Sequence, residues 1–200
     1  MRPYRIRGQN ICYHIRTQCN NREFRFEEKS DFLLYEGILY QYTKKYAFLL
    51  HNYHIMHSHV HLIITTTNHF TIDRVMRSIN QVFSIRYNRR KGRTGHVWLA
   101  RYKSSIIDSD AYALCCMRYL DRNSFKAGIV SNPKEWKWSG YNYYAYGKDN
   151  KLISPIVSYM GLSDTLEDRQ LKYRRFVEEA MPSDDIRDYE WIDSRWPKGK

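Results

Sequence analysis

Two hundred residues and 24.3 kDa, with 42% hydrophobic and 27% charged side chains, suffice for one compact domain or one domain with a small appendage. That balance excludes general disorder, and every apolar run is far too short to span a bilayer. Thirty-three Lys and Arg against 21 acids give a net charge of +12, and aromatics reach 16% with 18 Tyr. A basic surface interleaved with rings suits a polyanion with stackable bases.

Arg2, Arg5 and Arg7 are followed by no apolar stretch, so no secretory signal is expected and the chain reads as soluble and cytoplasmic. Cys12, Cys19, Cys115 and Cys116 form no C-x-x-C pair, which argues against a zinc ribbon and for reduced structural thiols.

In chain order, 10–18 is β-rich and predicts a first strand. Phe32, Leu33, Tyr35, Ile38, Leu39 and Tyr42 recur at helical spacing within Lys29 to Lys45. Two β-like runs follow, 46–50 and 54–66, with polar His51-Asn52 between them. Thr71 caps a predicted helix to about Tyr87, with Asp73 in its first turn. A basic loop, 88–95, leads to a strand over 96–107, and Asp108 or Ser109 caps a helix over 110–121.

This order is that of an α+β, ferredoxin-like split βαβ: an antiparallel sheet with helices on one face and a C-terminal helical extension. Asn132-Pro133 and the aromatic cluster over 136–146 predict an ordered extended segment. A boundary near 147–150 divides a main unit, 1–147, from an extension, 148–200. The extension reads as a helix over 165–181 opening with Thr-x-x-Asp, then a tail over 182–200.

Charge is uneven. Between Thr71 and Lys103, nine cations stand against Asp73 alone, a net of +8. Between Gly161 and Lys200, ten acids and eight bases give −2. A solvated helix face usually alternates signs, so this polarity points to an anionic partner.

The stretch Met56-His-Ser-His-Val-His-Leu-Ile-Ile64 carries chemistry. Residues two apart on a strand share a face, so His59 and His61 project together while Val60, Leu62 and Ile64 point away. Paired imidazoles can bind one metal ion and leave positions for substrate, although a His-x-His strand is also commonly a hydrogen-bonded part of a core. A second piece is Arg118-Tyr-Leu-Asp-Arg-Asn123. Tyr119 and Asn123 are four apart on one helix face, a phenol able to act as nucleophile and an amide oxygen able to act as a hard ligand.

Together these pieces resemble the single-tyrosine HUH transposases, specifically the REP-associated tyrosine transposases. Arg93-Thr-Gly-His-Val-Trp-Leu-Ala-Arg-Tyr102 is similar to that family's basic-Gly-x-x-Trp-x-x-Arg-Tyr segment. Asn123 to Val130 resembles its Asn-Pro-x-Arg-Ala-Gly-x-Val run, and Trp136-Lys-Trp-Ser139 through Tyr141 its Trp-x-Trp-Ser-Ser-Tyr block. The likeness covers roughly 11–147. Ser124 replaces Pro, Lys126 replaces Arg, Gly140 replaces Ser, and His57-Ser58 replaces Pro-Asn; none removes a presumed ligand or the nucleophile.

The resemblance implies an enzyme that cleaves and rejoins single-stranded DNA beside hairpin repeats through a 5′-phosphotyrosine intermediate. Tyr119 would be the nucleophile, and His59, His61 and Asn123 would hold Mg²⁺ or Mn²⁺. A tyrosine in water titrates at about 10, so a proton acceptor is needed, and the sequence does not identify it. Arg86, Arg89, Arg90, Lys91, Arg93 and Arg101 are the candidate DNA-backbone contacts. The partner is hairpin-bearing single-stranded DNA, with no membrane, and the protein acts as a monomer or a homodimer. Two other readings compete: a non-catalytic ferredoxin-like single-strand binder, and a small metalloprotein whose His-x-His serves structure or hydrolysis. The Tyr119 spacing favours the transposase reading over both.

Overall fold

The computed structural model describes residues 8–179 except Asn68. The tail expected over 182–200 therefore lies outside the described residues. Four strands, β1 (Cys12–Gln18), β2 (Leu49–Ile55), β3 (His59–Thr65) and β4 (Lys103–Ile107), form one sheet in the order β2-β3-β1-β4. All pairings are antiparallel, which is the split βαβ arrangement. The helices are α1 (Lys29–Tyr46), α2 (Ile72–Lys91), α3 (Asp110–Asp121), α4 (Asn123–Lys126), α5 (Tyr141–Tyr146), α6 (Val157–Met160) and α7 (Leu166–Glu178).

Strand alternation splits the apolar side chains between two layers. Ile15, Val60, Leu62 and Ile64 face α1 and α2, whose buried Tyr35, Ile38, Leu39, Val75, Ile79 and Phe83 recur at helical spacing. At the centre of this layer Phe26 is fully buried, stacked on Phe83 at 5.1 Å and edge-on to Tyr35 at 5.6 Å. Ile63 and Ile107 face the other way, onto Met117 and Leu120 of α3 and the C-terminal tyrosines 141, 144, 159 and 173. Helices on one face thus describes α1 and α2. The helices after β4 cover the second face, because that face also carries apolar residues needing cover.

Other sequence expectations shift for local reasons. The β2–β3 turn falls at 56–58 rather than at His51-Asn52, because those two polar residues find partners within the fold. His51 Nδ1 meets the Ser154 carbonyl and Nε2 the Thr65 hydroxyl, both at 2.8 Å. Asn52 Oδ1 accepts from the Tyr53 amide at 2.8 Å, next to a register shift between Leu50 and Asn52. β4 begins only at Lys103. The preceding segment instead binds the end of β1, with the Asn20 amide donating to the Val97 carbonyl (2.8 Å) and the Leu99 amide to the Gln18 carbonyl (2.9 Å). The aromatic segment after Pro133 holds helix α5, and its 138–140 stretch pairs with the outer edge of β2 through Ile55–Trp138 and Gly140–Tyr53 bonds. Gly140 has a local reason: a Cβ there would lie 2.2 Å from Asn52 Oδ1.

The N-terminus of α1 is a capping box in which Asp31 accepts from the Glu28 amide at 2.9 Å. Asp31 is fully buried, and its countercharge comes from the end of α2, Arg90 in a close ion pair and Lys91 Nζ at 3.5 Å. This explains why α2 runs on to Lys91, through what reads as a basic loop. Removing the acid strands a guanidinium and two orphan amides, so Asp31→Ala should destabilise the fold by about 3 kcal/mol, measured by urea denaturation. A change within experimental error would show that the pair does not hold α1 to α2.

Candidate active site

On the β1–β3 ladder, directly opposed residues share a face. Arg16 lies opposite His61, His14 opposite Ile63 and Gln18 opposite His59. On β2, His54 lies opposite His61, and on β4, Lys103 lies opposite Arg16. One sheet face thus gathers four imidazoles and two cations under α3.

Ser109 starts α3, its hydroxyl accepting from the Tyr112 amide at 3.3 Å, with Asp110 in the first turn. The helix breaks at Arg122 and resumes in α4, with the Arg122 amide still bonding the Arg118 carbonyl and the Lys126 amide the Arg122 carbonyl. Ser124 is helical here, and Gly128, at φ +68°, ends the run. Tyr119 and Asn123 therefore remain on one side, facing the sheet.

The expected constellation assembles within one chain. His59 Nε2 lies 3.2 Å from Asn123 Oδ1. The Tyr119 ring stands edge-on to His61 at 5.4 Å and to His14 at 5.9 Å. Tyr119 and Asn123 are half-buried, whereas His61 is fully enclosed. Ser58 Oγ is 3.2 Å from His59 Nδ1, and His14 Nε2 is 3.0 Å from His61 Nδ1. In both pairs the δ nitrogen is engaged, so Nε2 would be the atom offered to a metal.

Burial pushes the histidines toward the neutral, ligating form. His59 falls to about 4, by desolvation first and Arg16 second, against a raising bond from Asn123. His14 falls to about 3 for the same first two reasons, and His61 lies well below the ordinary range, through burial and then the neighbouring His59 and His14.

Among the described residues no three His, Cys, Asp or Glu side chains stand together to hold a metal. A metal held by the two histidines would find an amide oxygen, that of Asn123, within reach of His59. Adjacent ligands of an octahedral ion with bonds of 2.0–2.1 Å lie about 3 Å apart, so the 3.2 Å between His59 Nε2 and Asn123 Oδ1 fits Mg²⁺ or Mn²⁺.

The opposite side of the tyrosine helix is anchored. Arg118 Nε donates to the Phe176 carbonyl (2.6 Å) and Arg122 Nη1 to the Val177 carbonyl (2.5 Å), so both cations cap the C-terminal end of α7. Asp121 is fully buried, accepting from Tyr173 (2.5 Å) and Asn52 (3.1 Å), and burial pushes its carboxyl up to about 7 against those two bonds. Residues 118, 121 and 122 hold the helix, and 119 and 123 face the sheet from it.

The six candidate DNA contacts do not join this site. Arg86, Arg89, Arg90 and Lys91 lie on α2, in the layer across the sheet, with Arg93 just beyond the helix. Arg90 and Lys91 serve Asp31 and Glu28, and Arg93 bonds Asn88 Oδ1 at 2.8 Å. Arg86, Arg89 and Arg101 are exposed. Sequence reading missed His14, Arg16 and His54. The signal was the period-two run His14-x-Arg16-x-Gln18, which gains meaning only once β1 is paired with β3.

Compared with known proteins, residues 8–123 match the family model described as "Transposase IS200 like". No curated protein sequence matches the chain. A solved structure of a REP-associated tyrosine transposase bound to a REP hairpin is similar over 78% of this chain and 98% of its own, at 16% identity and a TM-score of 0.60. A structure described as a transposase of Deinococcus radiodurans R1 is similar over 57% of this chain and 90% of its own, at 16% identity and a TM-score of 0.43, too loose a fit to bear on the fold. The chain belongs to the IS200-like transposase family. It is a single-stranded DNA transposase, an enzyme of DNA cleavage and strand transfer, and this family generally uses a divalent metal. None of its described helices is long and apolar enough to cross a membrane.

His14 Nε2 holds the ring of His61 at its Nδ1. His14→Ala should weaken Mn²⁺ binding by about 10- to 100-fold in a calorimetric titration. Unchanged affinity would remove His14 from the site.

Proposed function

We propose that this transposase cuts single-stranded DNA beside a hairpin repeat with Tyr119 as the nucleophile and His59, His61 and Asn123 as metal ligands. The observation that carries this reading is the Tyr119 ring edge-on to His61, on the same helix side as the Asn123 oxygen beside His59. A bound Mg²⁺ or Mn²⁺ supplies Lewis-acid polarisation of the scissile phosphate. Tyr119 Oη attacks phosphorus in line, the P–O3′ bond breaks, and the departing 3′ oxygen takes a proton. The products are a 5′-phosphotyrosine and a free 3′-hydroxyl. Because one phosphoester replaces another, a 3′-hydroxyl can reverse the step without ATP.

Arg16, next to His61 on the sheet face, and Lys103 beside it provide positive charge for the phosphate and its neighbours. The buried, neutral imidazoles place that charge in surroundings of low dielectric, where it counts for more. Arg86, Arg89 and Arg101 are the exposed cations proposed to follow the DNA backbone, with Arg90 and Lys91 assigned to holding α1.

The shared fold with a transposase bound to a REP hairpin supports a hairpin-bearing partner. Anchoring of α3 by α7 of the same chain supports attack in cis by a monomer, with a swapped homodimer as the alternative. In this reading 1–147 is the catalytic unit, 148–200 braces the tyrosine helix, and the enzyme works on DNA in the cytoplasm.

Incubation with hairpin-tailed single-stranded DNA and Mn²⁺ should yield a covalent protein–DNA adduct visible on a denaturing gel. Tyr119→Phe should abolish it, and His59→Ala should reduce it by at least about 100-fold, as expected for loss of a metal ligand. Wild-type adduct levels from Tyr119→Phe would refute the nucleophile, and undiminished cleavage by His59→Ala would refute the metal.

A further inference from the structure

A cavity of about 530 Å³ opens in the α2 layer, lined by none of His59, His61, Tyr119 or Asn123. Its size lies in the range of about 300–1,000 Å³ over which proteins hold small ligands. Trp98 forms an aromatic wall, half-buried and fixed by its Nε1, which donates to the Asn80 carbonyl at 3.1 Å, and by packing on Phe83 at 5.3 Å. A ring held in place is a platform for a base.

The polar lining is selective. Asn80 lines the cavity, and its Oδ1 is buried and accepts no hydrogen bond among the described residues, so a turn of the side chain into the cavity would let it accept from a ligand N–H. Asp73 also lines the cavity and accepts from the Tyr102 hydroxyl at 2.8 Å. It is the lone acid among nine cations between residues 71 and 103. A carboxylate repels phosphate, whereas it accepts well from the exocyclic amine of a base, and an asparagine amide matches the edge of adenine. Arg77 and Arg101 are exposed at the rim, where they would meet a phosphate.

Position completes the case. The Leu99 amide donates to the Gln18 carbonyl, and Gln18 lies opposite His59 in the sheet register. The cavity therefore adjoins the end of β1 that borders the paired histidines. We propose that it takes one unpaired nucleobase with an amino group where guanine and thymine carry a carbonyl, adenine or cytosine, from the strand leading to the scissile phosphate. This rests on the single-stranded DNA substrate proposed above and adds a position at which the protein itself reads sequence.

The test uses the full chain carrying Tyr119→Phe, so that binding is measured without covalent capture. The probe is a hairpin with a single-stranded tail in which each base in turn is A, C, G, T or abasic, with Kd read by fluorescence anisotropy. One tail position should prefer A or C over T by at least about fivefold, the low end of what one base-edge contact gives, and Asn80→Ala and Asp73→Asn should each flatten that ratio. The ratio is the readout, so a loss of stability does not imitate the result. Discrimination that persists in both variants, or DNA binding with no discriminating position, overturns the proposal and leaves the catalytic reading standing. A chain that neither binds this DNA nor forms an adduct overturns both.

Discussion

The site depends on one helix being held on two sides at once. Tyr119 and Asn123 can meet His59 and His61 only while α3 lies flat against the sheet. Its other side is fixed by Arg118 and Arg122 on the last carbonyls of α7 and by Asp121 beneath Tyr173 and Asn52. A nucleophile must be positioned within a fraction of an ångström to react. The C-terminal helices, by covering the second face of the sheet, turn a surface helix into a fixed one.

The face that α3 covers is a compromise. A ferredoxin-like sheet can bury apolar residues on both faces, but here the half of the second face nearest His59 carries His14, Arg16, His54 and His61 instead. Burial keeps these imidazoles neutral. Neutral rings are what a metal needs, and the desolvation that is unfavourable for their charged forms prepares them to bind one. Ser58 and His14 orient His59 and His61, so the residues around the motif matter alongside it.

Much of this was legible in the sequence, for a physical reason. Alternation on β3 and the four-residue step from Tyr119 to Asn123 are local, and local periodicity needs no knowledge of partners. The Ser109 and Thr165 caps are equally local, each accepting from an amide three residues on. What the sequence hid was set by distant contacts. His51 and Asn52 look like a turn until Ser154, Thr65 and Tyr53 supply their bonds. Arg90 and Lys91 look like a DNA-binding loop until Asp31 and Glu28 appear beneath them. Arg16 is one arginine among many until the pairing of β1 with β3 sets it beside His61.

A single polypeptide supplies both the imidazoles and the phenol, and the bracing by α7 keeps them together. Mixing two inactive chains, one with Tyr119→Phe and one with His59→Ala, and assaying adduct on hairpin-tailed DNA tests this most directly. A site built in cis leaves the mixture as inactive as its components. Recovery of adduct in the mixture, each chain lending the group the other lacks, would contradict it and show that the tyrosine helix crosses between subunits.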